Sequence, residues 1–125
     1  MSDAKNHMLL GQTGESLAVD YLQRNNYEIL TTNWRYSRAE IDIIAKRSDQ
    51  LIFVEVKTRS SLRNGYPEDD VDEHKKRMLF DAASAFIEQE NHMGEIRFDI
   101  ISIIISSDQR PNLRHIPDAF FPGLF

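Results

Sequence analysis

Ala39-Glu40-Ile41-Asp42-Ile43-Ile44-Ala45 and, a little further along the chain, Phe53-Val54-Glu55-Val56-Lys57 decide how this sequence folds. Both runs are rich in β-branched residues, and on a strand side chains two apart share a face. Glu40 and Asp42 therefore point one way, and Ile41 and Ile43 the other. Glu55 and Lys57 likewise share a face, opposite Ile52, Val54 and Val56. A strand patterned like this buries its aliphatic side. The runs are joined by Arg47-Ser48-Asp49-Gln50, a turn-like segment. With Ser48-Asp49 as a two-residue hairpin loop, Arg47 faces Gln50, and the register running back from that pair sets Asp42 opposite Glu55 and Glu40 opposite Lys57. A four-residue loop keeps this register; a three-residue loop shifts it.

Carboxylates directly opposite on a sheet have β-carbons about 5 Å apart. At an effective dielectric of about 20, unit charges ~4 Å apart repel by roughly 4 kcal/mol. A cation, a shared proton or a lysine offsets such a pair. Two carboxylates with positions left open for water and phosphate suit Mg²⁺ or Mn²⁺. Lys57 then projects beside the metal, where it orients an attacking water or stabilises charge on a pentavalent phosphorus. Charged strand faces often produce Asp…Glu-x-Lys; adjacent strands, matched register and aliphatic reverse faces make this instance more specific.

Outward from this hairpin, helical spacing of Leu10, Leu17, Ala18, Tyr21 and Leu22 predicts a helix over 9–25, ended by Asn25-Asn26. Strands are predicted over 27–34, 39–46 and 51–59, and a loop over 60–68 around Asn64-Gly65 and Pro67. A second helix is expected over 71–90, with Leu79, Ala82, Ala83, Phe86 and Ile87 on one face and acidic residues in its first turn. Residues 95–106 form a strand whose run Ile100-Ile101 and Ile103-Ile104-Ile105 requires cover on both faces. A short last strand is expected over 113–116. The order α-β-β-β-α-β-β defines an α/β domain, a mixed β-sheet flanked by helices, over 9–125 after a flexible N-terminus at 1–8.

With 125 residues, 41% apolar and 28% charged, the chain suits one ordinary globular domain. It has no cysteine, which excludes disulfides and cysteine-ligated metal sites. The lack of a long apolar run or a signal-like start leads us to expect a cytoplasmic protein without a membrane span. The net charge of −5 argues against a general nucleic-acid coat. Residues 33–66, however, hold seven basic side chains against four acidic ones, so the candidate acids lie in the basic part of the chain.

Gly11-x-x-Gly14-Glu15, Asn33-Trp34-Arg35, Glu40-Ile41-Asp42, Phe53-Val54-Glu55-Val56-Lys57-Thr58-Arg59, Lys75 and Arg97-Phe98-Asp99 together resemble the YraN-type bacterial proteins. These are related to Holliday-junction resolvases and other nucleases of the PD-(D/E)XK type. The resemblance spans 10–120 and implies a restriction-endonuclease-like, resolvase-like fold. It implies Asp42 and Glu55 as Mg²⁺ or Mn²⁺ ligands, Lys57 as the catalytic lysine, and Glu15 as a further acidic ligand or anchor for a metal-bound water. The family commonly has glycine where Ala39 stands here.

Other positions admit two readings each. Glu15 near a helix start is by default a dipole partner, and Lys75 by default a snorkelling lysine that here can reach a phosphate. Arg35 and Arg59 are surface arginines or phosphate contacts. Trp34 and Phe98 read as core before base-stacking residues. Asp99 is either a buried ion-pair partner or a support for the site, as Glu40 is. The histidines have no ligand spacing and are given no role. The acidic run 68–73 lies away from the cleft or swings as a lid, and the apolar tail 120–125 packs internally or forms a homodimer surface. The expected function is a metal-dependent endonuclease acting on nucleic acid, DNA before RNA and branched DNA among the substrates. A non-catalytic nucleic-acid-binding module and an unrelated α/β interaction domain are the alternatives.

Overall fold

The computed structural model describes residues 3–61, 65, 71–106 and 110–121, with the backbone alone for 3–12. The elements follow the expected order: α1 (Asp3–Arg24), β1 (Glu28–Tyr36), β2 (Ala39–Arg47), β3 (Gln50–Arg59), α2 (Glu73–Glu90), β4 (Ile96–Ile105) and β5 (Pro111–Ile116). The five strands form one mixed sheet in the order β1-β2-β3-β4-β5. Only β3 and β4 are parallel, because α2 carries the chain back between them; the other neighbours are antiparallel. Among the described residues no helix is long and apolar enough to cross a membrane.

Alternation along the central strands gives each sheet face its own core. Leu51 and Phe53 of β3, with Phe98 and Ile100 of β4, pack with Leu79, Ala82, Ala83 and Phe86 of α2. Ile52 and Val54, with Ile101 and Ile103, pack with Ala18 and Leu22 of α1. The isoleucine-rich strand β4 is thus covered on both faces, as its composition requires. Trp34 and Phe98 belong to the α2-side core, Phe98 being 1% exposed. Phe120 also packs there, stacked on Phe98 with ring centroids 5.4 Å apart, whereas Phe121 is exposed. The rest of the apolar tail, positions 68–70 of the acidic run and most of the 60–68 loop lie outside the described residues.

Both helices begin away from the expected positions, and β1 and β5 each run two residues longer at one end. The backbone of α1 begins at Asp3 rather than near Leu9. Helix α2 begins two residues later than expected because Asp72, inside the acidic run, is its N-cap and accepts from Lys75 N–H at 2.9 Å. Asn91, in the left-handed region at φ 53°, ends the helix.

Candidate functional site

The hairpin register holds from the turn inward. Arg47↔Gln50, Lys46↔Leu51, Ala45↔Ile52, Ile44↔Phe53 and Ile43↔Val54 all pair as expected, with Ser48 at φ 55° in the turn. There the β2–β3 ladder ends. The expected pairs Asp42 with Glu55 and Glu40 with Lys57 do not form. Instead the Asp42 side chain turns toward β3, and its Oδ2 accepts from Val56 N–H at 2.7 Å.

The alternation of β2 slips at this point. Ile41 packs in the α2-side core and Ile43 in the α1-side core, so they do not share a face as expected. On β1 the partner of the slip is Asn33, between Trp34↔Ile41 and Thr32↔Ile43, held at φ 52°. Asparagine is among the few residues that take this conformation at low cost. The result is a parting of two strands with a carboxylate set in the gap.

Asp42 there joins two sets of charges. On one side its carboxylate forms a compact group with Glu40 of β2 and Glu15 of α1, each offering an oxygen within 4.8 Å of the others. The Asn33 amide, taken with its nitrogen toward the acids, donates to Glu40 Oε1 at 3.0 Å and to Glu15 Oε1 at 3.2 Å. Arg35 pairs with Glu40 Oε2 at 3.1 Å. Glu15 comes close because α1 packs tightly on β3 at Gly14. A methyl group on Gly14 would overlap the Thr58 hydroxyl and lie 3.0 Å from Thr58 Cβ. Glycine is thus a condition for delivering Glu15 from this helix.

The other set surrounds Glu55, which is 4% exposed. Its Oε1 meets Lys57 Nζ at 3.3 Å and Lys75 Nζ at 3.5 Å. The expected shared face of Glu55 and Lys57 is therefore present, and Lys75 reaches it from the turn that Asp72 caps. Glu55 Oε2 is buried with no hydrogen-bond partner. An orphaned buried acceptor of this kind costs about 1–3 kcal/mol.

These surroundings push Asp42 far above the usual carboxylate range, to about 8. Burial is the largest cause, followed by the charge on Glu55 and, more weakly, that on Glu15. The Val56 N–H and the Lys75 ammonium oppose the shift without cancelling it. Glu15 and Glu55 thus both act on Asp42, although Glu55 stands outside the compact group of Glu15, Glu40 and Asp42. A hard cation could be held by Asp42 with oxygens from either side.

Asp99 is drawn into a different network. It is fully buried, and Arg97 grips it with two bonds of 2.8 Å. His115 Nε2 lies 2.6 Å from its Oδ2, and Asp118 N–H donates to its Oδ1 at 3.0 Å. Burial alone would raise its pKa; the bonds from His115, Arg97 and Asp118 more than reverse this and hold it below the usual range. His115 also meets the Tyr21 hydroxyl at 3.0 Å, and Arg97 donates to the Tyr27 hydroxyl at 2.7 Å. Of its two expected roles, Asp99 takes that of buried ion-pair partner. His115 was given no role from the sequence, and its partners lie in α1 and β4, beyond any local pattern. Asn33 was also missed; its left-handed tolerance opposite a candidate acid was the available signal.

The profile of the uncharacterised protein family UPF0102 matches residues 14–103. A UPF0102 protein of Christiangramia forsetii is 47% identical over 115 residues, covering 92% of this chain and 96% of its own. One from Geobacter metallireducens is 45% identical over 112 residues, with 89% and 91% covered, and one from Bacteroides fragilis is 43% identical over 119 residues, with 95% and 98% covered. Glu15, Asn33, Asp42, Glu55, Lys57 and Lys75 all fall inside the matched span. The chain belongs to the uncharacterised protein family UPF0102, the YraN-type proteins its motifs resemble.

Proposed function

We propose that this protein is a divalent-metal-dependent endonuclease of the PD-(D/E)XK type, with a restriction-endonuclease-like fold, cleaving phosphodiester bonds of nucleic acid, DNA in the first instance. The observation that carries the reading is the placement of Asp42 in the parting of β2 and β3, between Glu15 and Glu40 on one side and Glu55 with Lys57 on the other. A purely structural sheet has no reason to hold a buried acid, Glu55, and a half-buried one, Asp42, where each opposes the other's ionisation.

The residues fit a hard cation. Glu55 Oε2 is a buried acceptor without a partner, and Asp42 is held in a form that a divalent ion would favour losing its proton. Asp42 and Glu55 would be the ligands, with Glu15 as a third. Glu40, already tied to Arg35 and Asn33, supports the group. A bound Mg²⁺ or Mn²⁺ would supply positive charge at a phosphoryl oxygen and favour ionisation of water at neutral pH.

The rest of the work falls to the chain. In hydrolysis a water oxygen bonds to phosphorus, the bond to the leaving oxygen breaks, and the water's proton departs. Lys57, partly exposed and held by Glu55, orients that water or stabilises charge on the phosphoryl oxygens. Lys75 fixes Glu55 from the other side and is a phosphate contact once the substrate displaces it. Arg35 and Arg59 hold the nucleic-acid backbone. A cytoplasmic place accords with this reading.

The test is incubation of flap, junction, duplex and single-stranded substrates with Mg²⁺ or Mn²⁺. Wild type should cleave at least one, and Lys57→Ala should depress the rate far more than the affinity. Absence of divalent-dependent cleavage on every substrate, together with a Lys57→Ala variant altered only in binding, would leave a non-catalytic nucleic-acid-binding module.

A further inference from the structure

Beside the acids, the tip of the β1–β2 hairpin carries an aromatic pair that the fold does not fully use. Trp34 and Tyr36 lie two apart on β1, with ring planes within 4° of parallel and centroids 6.3 Å apart. Trp34 is anchored edge-on against Phe86 of α2, centroids 5.3 Å apart at 84°. Tyr36 extends the pair outward and is 47% exposed. A lone exposed ring is unremarkable, but this one continues an anchored ring and is flanked by exposed Arg35 and Arg38. The rings lie on the α2 side of the sheet, where Lys75 of α2 meets Glu55, while neighbouring Arg35 points to the other side and pairs with Glu40. Along the backbone of β2, Ala39, the strand partner of Tyr36, is roughly 10 Å from Asp42, within the span of a few nucleotides of one strand.

We propose that Trp34 and Tyr36 form a stacking platform for an unpaired base of a single-stranded segment, with Arg35 and Arg38 meeting its phosphates. The inference rests on the nucleic-acid reading of the acid site and adds to it the form of the substrate. A base in a duplex has both faces covered by its neighbours, whereas an unpaired base offers a face to a ring, and stacking tolerates any base. The cations matter because the acid cluster by itself repels phosphate; the hairpin tip supplies the opposite charge next to it.

Binding separates this inference from the catalytic one. Fluorescence anisotropy should be measured for an oligothymidylate, an oligouridylate and a blunt duplex of equal length, with Ca²⁺ and with EDTA. A single strand bearing 2-aminopurine should be followed in parallel. Wild type should bind at least one of the two single strands and quench the 2-aminopurine. Tyr36→Ala should weaken single-strand binding on the order of tenfold, abolish the quench and leave duplex binding unchanged. Tyr36→Phe, which keeps the ring, should behave as wild type. Failure of wild type to bind either single strand would overturn the inference, as would a Tyr36→Ala variant that binds single strand normally or loses duplex equally. Tyr36-dependent binding without cleavage would leave the platform and remove the nuclease; cleavage indifferent to Tyr36 would do the reverse.

Discussion

Replacing Asp42 with asparagine should make the protein more stable than wild type in mildly alkaline solution while changing little in mild acid. Burial and the neighbouring Glu55 push Asp42 up to about 8, whereas an aspartate in the unfolded chain titrates near 4. Between those values the folded protein keeps a proton that the unfolded chain has released. Stability from this group is therefore complete below about pH 4, falls as pH rises through the window, and is gone above about pH 8. Some four units at about 1.4 kcal/mol each set the loss on the order of 5 kcal/mol. The asparagine side chain of the variant has no proton to lose, and its amide oxygen can still accept from Val56 N–H, the bond Asp42 makes at 2.7 Å. Urea unfolding in EDTA from about pH 4 to about pH 9 reads both curves. They should nearly coincide at the acid end and diverge upward, with Asp42→Asn ahead. Parallel curves, or a variant less stable than wild type at the alkaline end, would refute the claim that Asp42 is held against its ionisation.

The other expectations concern the supports of the site. In the wild type Mn²⁺ should raise the melting temperature, and in Glu55→Gln the rise should shrink or vanish; equal shifts would place the ion elsewhere. Gly14→Ala should cost about 1–3 kcal/mol, because the methyl meets Thr58, and an unchanged urea midpoint would show that α1 yields freely there. Asp99→Ala should cost about 3–5 kcal/mol by leaving Arg97 and His115 without their buried partner. Since Asp99 is held below its usual pKa, its contribution is present above about pH 4 and fades as pH falls through the lowered value. A wild-type stability unaffected by acid in that range would count against it.

Much of this was legible in local pattern. Period-two aliphatics placed β2 and β3, the isoleucine run placed β4, the short Arg47-Ser48-Asp49-Gln50 connection set the first five hairpin pairs, and Glu55 and Lys57 shared a face as strand geometry demands. What could not be read was where the pattern stops. The expected opposition of Asp42 and Glu55 assumed a continuous ladder, but the strands part after Ile43↔Val54, and Ile41 and Ile43 go to different cores. That slip depends on Asn33 across the sheet and on Val56 N–H finding a side-chain acceptor, neither of which alternation encodes. Lys75 reached Glu55 through the position of a helix start, set by the Asp72 cap. The Asp99–His115–Tyr21 chain joins residues up to 94 positions apart, and no periodicity reports on such contacts.

The central claim is that the acids around Asp42 form a divalent-cation site, and manganese can be located directly. Crystals grown near pH 8, where Asp42 is already partly ionised, should be soaked in Mn²⁺ and measured for anomalous scattering. A peak should appear within about 2.0–2.5 Å of an Asp42 oxygen, with Glu55 Oε2 or Glu15 among the other ligands, and should be absent from Asp42→Asn crystals treated alike. Saturating Mn²⁺ that leaves Asp42 without an ion, or binds only elsewhere on the surface, would contradict the account.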